Sequence, residues 1–523
     1  MSETTSAWSP FRHRVFALMW AAALLGNVGT WMRDVGAGWL MTSLSPSATF
    51  VALVQVAGTL PIFMLALPAG TLADLVNRRK LLIGVNLLLG SVALFLGVVT
   101  QMGLMTPLLL LGALFVGGIG SALATPVLQS LTPLQVPRPE LRAAIALNSM
   151  GFNVSRAIGP ALGGLVIALL SIQVAFYLDA VSYLIVIAAL LWWKAAATPA
   201  SQESPESFGG ALVTGLRYVW NAPQLQRTLL RAASFFLFAS CFWALLPLLV
   251  RQQLGGSAGT YGWLLACTGV GAVLGALLLP RLRQRLSTET TVRLGTGLTV
   301  AVLALLAVTR NVPLAALALS LAGMAWIGVL TSANTAAQML LPDWVRGRGL
   351  AVYLMAFYGS MTAGSLLWGS IADSGGLQLA FFAAACLGLG ALVLAYWKPL
   401  PEADPDLTPS LHWPEPALNG DAGDRAVQVR IEYNIPAEHR AEFLTRMEAQ
   451  SRERRRDGAL RWWLTEDAER PGRFAEHFIE PSWQEHLRHH HRVTHEDADL
   501  QARVIALHRG STPPDVKHEL VAK

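Results

Sequence analysis

Up to about residue 400 the apolar positions neither alternate nor recur at helical spacing; they run on almost unbroken between short polar gaps. About 20 mostly apolar residues are needed to cross the hydrocarbon of a bilayer. That length predicts twelve membrane-spanning helices, roughly at 15–40, 48–72, 81–101, 106–130, 143–169, 173–193, 229–250, 260–280, 294–309, 313–339, 350–372 and 377–397. The first run follows Arg12-His13-Arg14 but continues well past the length of a signal core, with no small-residue cleavage site at its end, so it reads as the first span.

The polar segments divide the chain further. A six-span block, 11–193, is followed by a linker, 194–228, that holds Ser201-Gln202-Glu203-Ser204-Pro205-Glu206-Ser207. The linker then becomes an amphipathic stretch from Phe208 to Trp220, predicted to lie along the membrane surface. A second six-span block, 229–398, precedes another linker, 399–424, rich in Pro, Asp and Glu. Residues 425–511 have the pattern of a small soluble domain. Val427 to Tyr433 alternates as a strand does, and Pro436 to Arg456 reads as a charged helix. Leu460 to Leu464 and Arg473 to Ile479 read as strands around a turn, and Trp483 to His508 as a second helix. The order β-α-β-β-α is close to the ferredoxin-like pattern. The expected architecture is thus an all-α membrane part plus a small α+β domain.

Charge adds orientation. Basic residues in the gaps at 12–14, 78–80, 138–142, 194, 217–231, 281–293, 346–348 and 398 fall on one side of the predicted spans, against only Arg251 and Arg310 on the other. The positive-inside rule then places both termini in the cytoplasm of a cell that holds the chain in its inner membrane. This asymmetry also supports twelve spans, because dropping one would scramble it.

Composition removes other classes. Hydrophobic residues are 53% of the chain and charged residues 14%, whereas a soluble protein carries nearer a quarter charged. The net charge of +6 does not point to nucleic acid, because no basic face with interleaved aromatics occurs. Cys241, Cys267 and Cys386 lie inside apolar runs, which argues against a disulfide framework. No cofactor and no metal site is expected. His491 and His495, one helical turn apart in the second predicted helix of the tail, lack a third ligand and read as a solvated face.

An internal repeat is visible at an offset of 205 residues, pairing Gly70 with Gly275, Arg78 with Arg283, Pro137 with Pro342, Gly159 with Gly364 and Gly164 with Gly369. Two similar membrane halves are the pattern of transporters that bind substrate between the halves. The gap Gly70-Thr71-Leu72-Ala73-Asp74-Leu75-Val76-Asn77-Arg78-Arg79-Lys80 resembles the signature loop of the major facilitator superfamily, with Leu75 and Asn77 as departures. That resemblance implies a gate in which Asp74 meets the N-terminus of helix eleven and a nearby Arg. Read without it, Arg78, Arg79 and Lys80 only fix topology.

The fifth span carries Gly151, Ser155, Gly159, Gly163 and Gly164 around Pro160. Four-residue spacing puts small residues on one helix face, where another helix packs closely. Ser155 to Gly164 also resembles the antiporter signature of the superfamily, which implies a place at the seam between halves and export rather than import. With Trp31-Met32-Arg33-Asp34, these features resemble the enterobactin-exporter-like branch, the transmembrane secretion effectors. This implies proton-driven efflux of a small amphiphilic molecule such as a siderophore or drug, by rocking of 15–193 against 229–397.

Charges inside spans are costly and mark function or a pair. Arg156 is either paired structurally or in contact with an anionic substrate or coupling acid. Asp34 is either the proton-carrying acid or a partner of Arg33 or Arg156. Asp179 and Asp373 read as boundary residues. The Arg usual in helix four of proton antiporters is missing from Leu108 to Val127. Asn148, Asn153, Asn334 and Gln338 are expected either to contact a polar substrate or to bond between helices, and Asn334 is the repeat counterpart of Gln129.

The tail resembles dimeric α+β barrels of the antibiotic-biosynthesis monooxygenase type, through its element order and a Trp-x-x-His start to the last helix. That implies a homodimer formed by a bare sheet face bearing Trp462, Trp463 and Phe474. Two rival functions stand beside export: uptake by symport, and a membrane-tethered enzyme or sensor working through 425–511. Twelve spans with buried charges exceed what an anchor needs, so a non-enzymatic transporter is expected.

Overall fold

The computed structural model describes residues 6, 8–75, 77–193, 208–401, 406–410, 412–413, 425–510 and 512–521. Of the linkers read at 194–228 and 399–424, residues 194–207, 402–405, 411 and 414–424 therefore lie outside the described residues. Contacts divide the chain into two units. The first holds Met1–Ser204, Leu229–Asn334 and Tyr353–Leu400; the second holds Pro205–Thr228, Thr335–Val352 and Pro401–Lys523.

The first unit is helical. Its N-terminal half comprises α1 (Arg14–Leu44), α2 (Ala48–Leu75), α3 (Arg78–Gln101), α4 (Pro107–Leu131), α5 (Leu141–Leu169) and α6 (Ile172–Trp192). Beyond α7 (Phe208–Trp220) the C-terminal half comprises α8 (Pro223–Leu248), α9 (Ala258–Arg283), α10 (Thr288–Val308), α11 (Val312–Met339) and α12 (Arg346–Trp397). Among the described residues eleven helices are long and apolar enough to cross a membrane. The last of them, α12, absorbs both final predicted spans. At 52 residues it would be about 78 Å long if straight, over twice the hydrocarbon thickness. It is interrupted at Gly376, whose φ of 84° and ψ of 166° are non-helical. Only glycine adopts such a backbone readily, so 346–375 and 377–397 are separate arms.

Local chemistry sets the ends. Thr106 accepts from Leu109 N at 3.3 Å with Pro107 in the first turn of α4. Ser257 and Thr260 form a reciprocal capping box at α9, and Ser287 caps α10. Large apolar side chains such as Leu108, Leu169 and Leu184 are exposed, as expected of a surface that faces lipid.

The second unit contains a four-stranded antiparallel sheet. Its strands are β1 (Val427–Asn434), β2 (Arg461–Glu466), β3 (Arg473–Glu480) and β4 (Asp515–Leu520), ordered β2-β3-β1-β4. Helices α13 (Arg440–Asp457), α14 (Trp483–Arg492) and α15 (His495–Ile505) complete it. Two boundaries differ from the sequence reading. The second helix is broken at Val493, where Thr494 and Asp497 form a capping box that starts α15. The fourth strand lies beyond 511. His491 and His495 are consequently on different helices, and both are exposed.

This unit also takes in 335–352, which the sequence reading assigned to the second helix block. Tyr218 donates to Leu340 O at 3.0 Å, and the Arg492 guanidinium lies 4.5 Å from the Trp344 ring centre.

The sheet faces are not as anticipated. Phe474 is buried in the core with Tyr433, Phe443 and Met447, and Trp462 packs on the same side. Trp462 donates to Glu476 Oε1 at 2.9 Å. Of the three aromatics expected on the bare face, only Trp463 is there, stacked on His477 at 5.0 Å. Arg430, paired with Glu432 at 2.9 Å, shares that face. The apolar surface invoked for a sheet-to-sheet dimer is therefore largely inside the fold, because strand alternation sends even-numbered β3 residues toward the helices.

Candidate transport site

The small residues of α5 serve two interfaces. Ser155 Oγ donates to Leu24 O at 3.1 Å, tying α5 to α1. Gly151 abuts Trp20, and a Cβ at Gly159 would sit 2.6 Å from Trp31 Cβ and 3.2 Å from Val28 O. A Cβ at Gly163 would meet Met32 Cα at 2.9 Å. Gly164 turns instead to the other half, where a Cβ would come within 2.8 Å of Gly262 Cα. About two turns deeper, a Cβ at Gly269 would lie 2.7 Å from Arg156 O. The four-residue spacing thus builds an α1–α5 contact, while the adjacent Gly164 makes the α5–α9 seam.

This geometry sets an expected result. Gly159→Leu should destabilise by more than the roughly 1–3 kcal/mol usual for overpacking, because its neighbours are backbone and a fixed indole root. Gly120→Leu should cost less, since a Cβ there first meets the tip of Leu89 at 2.8 Å. Thermal unfolding in detergent compares them, and equal losses would show that the motif is only composition.

Arg156 is buried on α5. Its guanidinium carbon lies 5.3 Å from the Trp243 ring centre on α8, a cation–π contact between the halves. Among the described residues its Nε has no hydrogen-bond partner and no carboxylate pairs with it. The anticipated structural pair with a carboxylate is thus not found. Trp243 is the edge of an aromatic group: Trp31 at 6.4 Å, Trp326 at 5.6 Å, and Phe236 and Phe357 beyond.

Arg33 is held differently. Its Nη2 lies 3.0 Å from Asp34 and its Nη1 lies 3.5 Å from Asp179. Asp179 is fully buried, whereas the Asp34 side chain is 48% exposed. Asp179 is therefore no boundary residue; a lone acid in the sixth span, with Arg33 as an available counter-charge, was the signal that could have found it. Asp373 is no idle boundary residue either. It accepts from Ser47 Oγ at 2.7 Å, Ala48 N at 2.5 Å and Thr49 N at 3.0 Å, so a C-terminal-half carboxylate caps the N-terminus of α2. Arg251 donates to Thr42 and Ser43 at 2.9 and 2.7 Å. Both links lie at the end of the helices remote from the 78–80 loop. Thr59 and Thr362 meet at 2.8 Å between them and that loop.

The other predicted positions are scattered. Asn148 donates to Thr132 at 3.1 Å and Asn153 to Ser149 O at 2.8 Å, so both have local partners. Asn334 is half-buried and Gln338 exposed on α11. In the loop at 70–80, the surroundings of Gly70 and the side chain of Asp74 lie outside the described residues, as does the side chain of Gln129. Arg79 is placed: it donates to Leu190 O at 2.7 Å and Leu191 O at 2.8 Å, capping the C-terminus of α6. Arg293 caps Ala395 O at 3.0 Å in the other half. Leu190 and Ala395 are 205 residues apart, the offset of the sequence repeat, so equivalent carbonyls are served by arginines from non-equivalent positions. Arg293 also pairs with Glu289 at 2.6 Å, which holds buried Arg231 at 3.2 Å.

Comparison with known proteins matches residues 5–523 to the family described as transmembrane secretion effector. The multidrug efflux pump Tap of Mycolicibacterium fortuitum is 26% identical over 398 residues, which is 72% of this chain and 94% of Tap. The staphyloferrin A transporter of Staphylococcus aureus is 24% identical, over 69% of this chain and 90% of that one. Among solved structures, a mutant of the nucleoside transporter NupG superposes with a TM-score of 0.64 at 10% identity, covering 74% of this chain and all of that one. A bacterial homolog of the human lysosomal transporter Spinster gives 0.58 at 15% identity, covering 74% and 97%. These proteins are transporters, which accords with a non-enzymatic chain; the solved structures carry the fold alone.

Proposed function

The chain belongs to the transmembrane secretion effector family of multi-pass membrane transporters, and on that premise we propose that it exports a small amphiphilic molecule, of siderophore or drug type, in exchange for protons across the cell's inner membrane. The observation that carries this reading is Arg156: a buried cation at the meeting of the halves, beside Trp243, without a protein counter-charge among the described residues. Such a group suits a substrate with an anionic or electron-rich end, and the aromatic group beside it suits an apolar body.

Transport is by alternating access, with 15–193 rocking against 229–397. The Asp373 and Arg251 links hold the halves together at the end remote from the basic loops. With both termini cytoplasmic, this is a state with the external side shut. Asp34 is the proton carrier. It is partly exposed, and Arg33 already touches a second acid, Asp179. Protonation of Asp34 leaves Arg33 to Asp179, which moves charge within α1 without stranding it.

Asp74 gates the opposite end. Asp74→Asn is expected to slow transport without impairing membrane insertion, since no basic topological charge changes; wild-type turnover in reconstituted vesicles would remove the gating role. Residues 425–511 are not needed for the transport step itself. Deleting 425–521 should leave at least partial transport.

The direction is tested in everted membrane vesicles. Proton-gradient-dependent accumulation of a fluorescent amphiphilic anion means export in cells. Accumulation only in right-side-out vesicles would mean uptake and sink the proposal.

A further inference from the structure

We propose that His486, His490 and His518 form a binding site for a divalent first-row transition cation of the zinc class, joining α14 to the terminal strand β4. Three features place the histidines together. His486 and His490 are one turn apart on α14, so both imidazoles leave the same helix face. The sheet register sets His518 opposite Val429, a buried residue on the helix-facing side of β1. His491 sits at another phase of α14 and His495 on α15; both are exposed and neither belongs to the group.

The distances fit a metal. His486 Nε2 and His490 Nε2 are 3.2 Å apart. One nitrogen from each of the three histidines lies within 4.8 Å of the others. Tetrahedral zinc with bonds of 2.0–2.1 Å separates its nitrogens by about 3.3 Å. One pair already has that spacing, and exposed His518 has rotamer freedom to close the rest.

The orientation is fixed from behind. Glu480 Oε2 lies 2.5 Å from His486 Nδ1. A carboxylate accepts, so the His486 proton is on Nδ1 and a lone pair on Nε2 faces His490. Carboxylate–histidine–metal arrangements use this same second contact to set tautomer and ring angle. Trp483 packs at 5.3 Å from His486 and Trp413 at 4.8 Å from His490, flanking the group. His518 is exposed and His490 half-buried, so a fourth position opens to water or another ligand.

Imidazoles without carboxylates in direct contact select zinc, nickel, copper or ferrous iron over calcium and magnesium. The other acidic group of this domain, Glu453 with Asp457 and Asp497, makes a poorer site. Arg456 already neutralises it, at 2.9 Å from Asp457 and 2.7 Å from Asp497.

The test is Zn2+ titration of the untagged full-length chain in detergent, read by calorimetry and by competition with a chelating dye. A single tight equivalent is expected. His490→Gln and His518→Gln should each weaken it about tenfold or more, and Glu480→Gln by roughly 10–100-fold. His491→Gln should leave it unchanged. His518→Gln alters an exposed side chain, so circular dichroism should show it folded and its loss of affinity readable. No bound equivalent in the parent overturns the proposal. So does a His490→Gln/His518→Gln protein that holds Zn2+ as tightly as the parent.

Discussion

Replacing Arg156 by Met is expected to cut transport by at least about tenfold while leaving the folded protein no less stable. A hydrogen bond to a charged group contributes about 1.5–3 kcal/mol, and 1.4 kcal/mol is a factor of ten in affinity. Losing one such contact to the substrate accounts for the fall. The stability side runs the other way. Burying a guanidinium costs desolvation that only a partner offsets, and among the described residues Arg156 has only the Trp243 ring, worth about 0.5–2 kcal/mol. Met keeps the apolar contact and removes the charge. Vesicle transport and thermal unfolding measured on the same preparations decide it. Wild-type transport, or a large drop in unfolding temperature, would assign Arg156 a purely structural role.

Asp34→Asn is expected to abolish the stimulation of transport by a proton gradient, bringing the ratio with and without the gradient to about one, because Asn cannot carry the proton. The Arg33 pair itself should suffer little. An exposed ion pair contributes about 0–1 kcal/mol, and Asp179 remains as counter-charge at 3.5 Å. Asp179→Asn is the contrasting variant. It removes the fully buried partner and should destabilise more strongly, since breaking a buried pair costs about 3–5 kcal/mol. A gradient response that survives in Asp34→Asn would move the coupling acid elsewhere.

The tail shows where pattern reading is weakest. Alternation identified β1 and β3, but not which side of each faced the helices. Phe474 and Trp462 therefore fell on the wrong face, and β4, short and mostly exposed, carried no apolar signal. The buried acid Glu476 was equally invisible. It accepts from Tyr433, Gln450 and Trp462 at 2.9–3.0 Å, partners drawn from three elements.

The membrane part divides on a physical line. Length and hydropathy by themselves determined the helices, since lipid demands long apolar runs with internally satisfied backbone. The 205-residue repeat announced two halves, and the small residues of α5 announced a close helix contact. Which helix fills that contact could not be read, because a small residue admits any neighbour. Only the tertiary structure gave Gly159 to Trp31 and Gly164 to Gly262. The same holds for charge. The sequence marked Arg33, Asp34 and Arg156 as costly in a bilayer and passed over Asp179 and Asp373 as boundary residues, because pairing depends on distances across helices far apart in the chain. The fold paired Arg33 with two acids, set Asp373 on the start of α2, and placed Arg156 against the Trp243 ring with no carboxylate partner among the described residues.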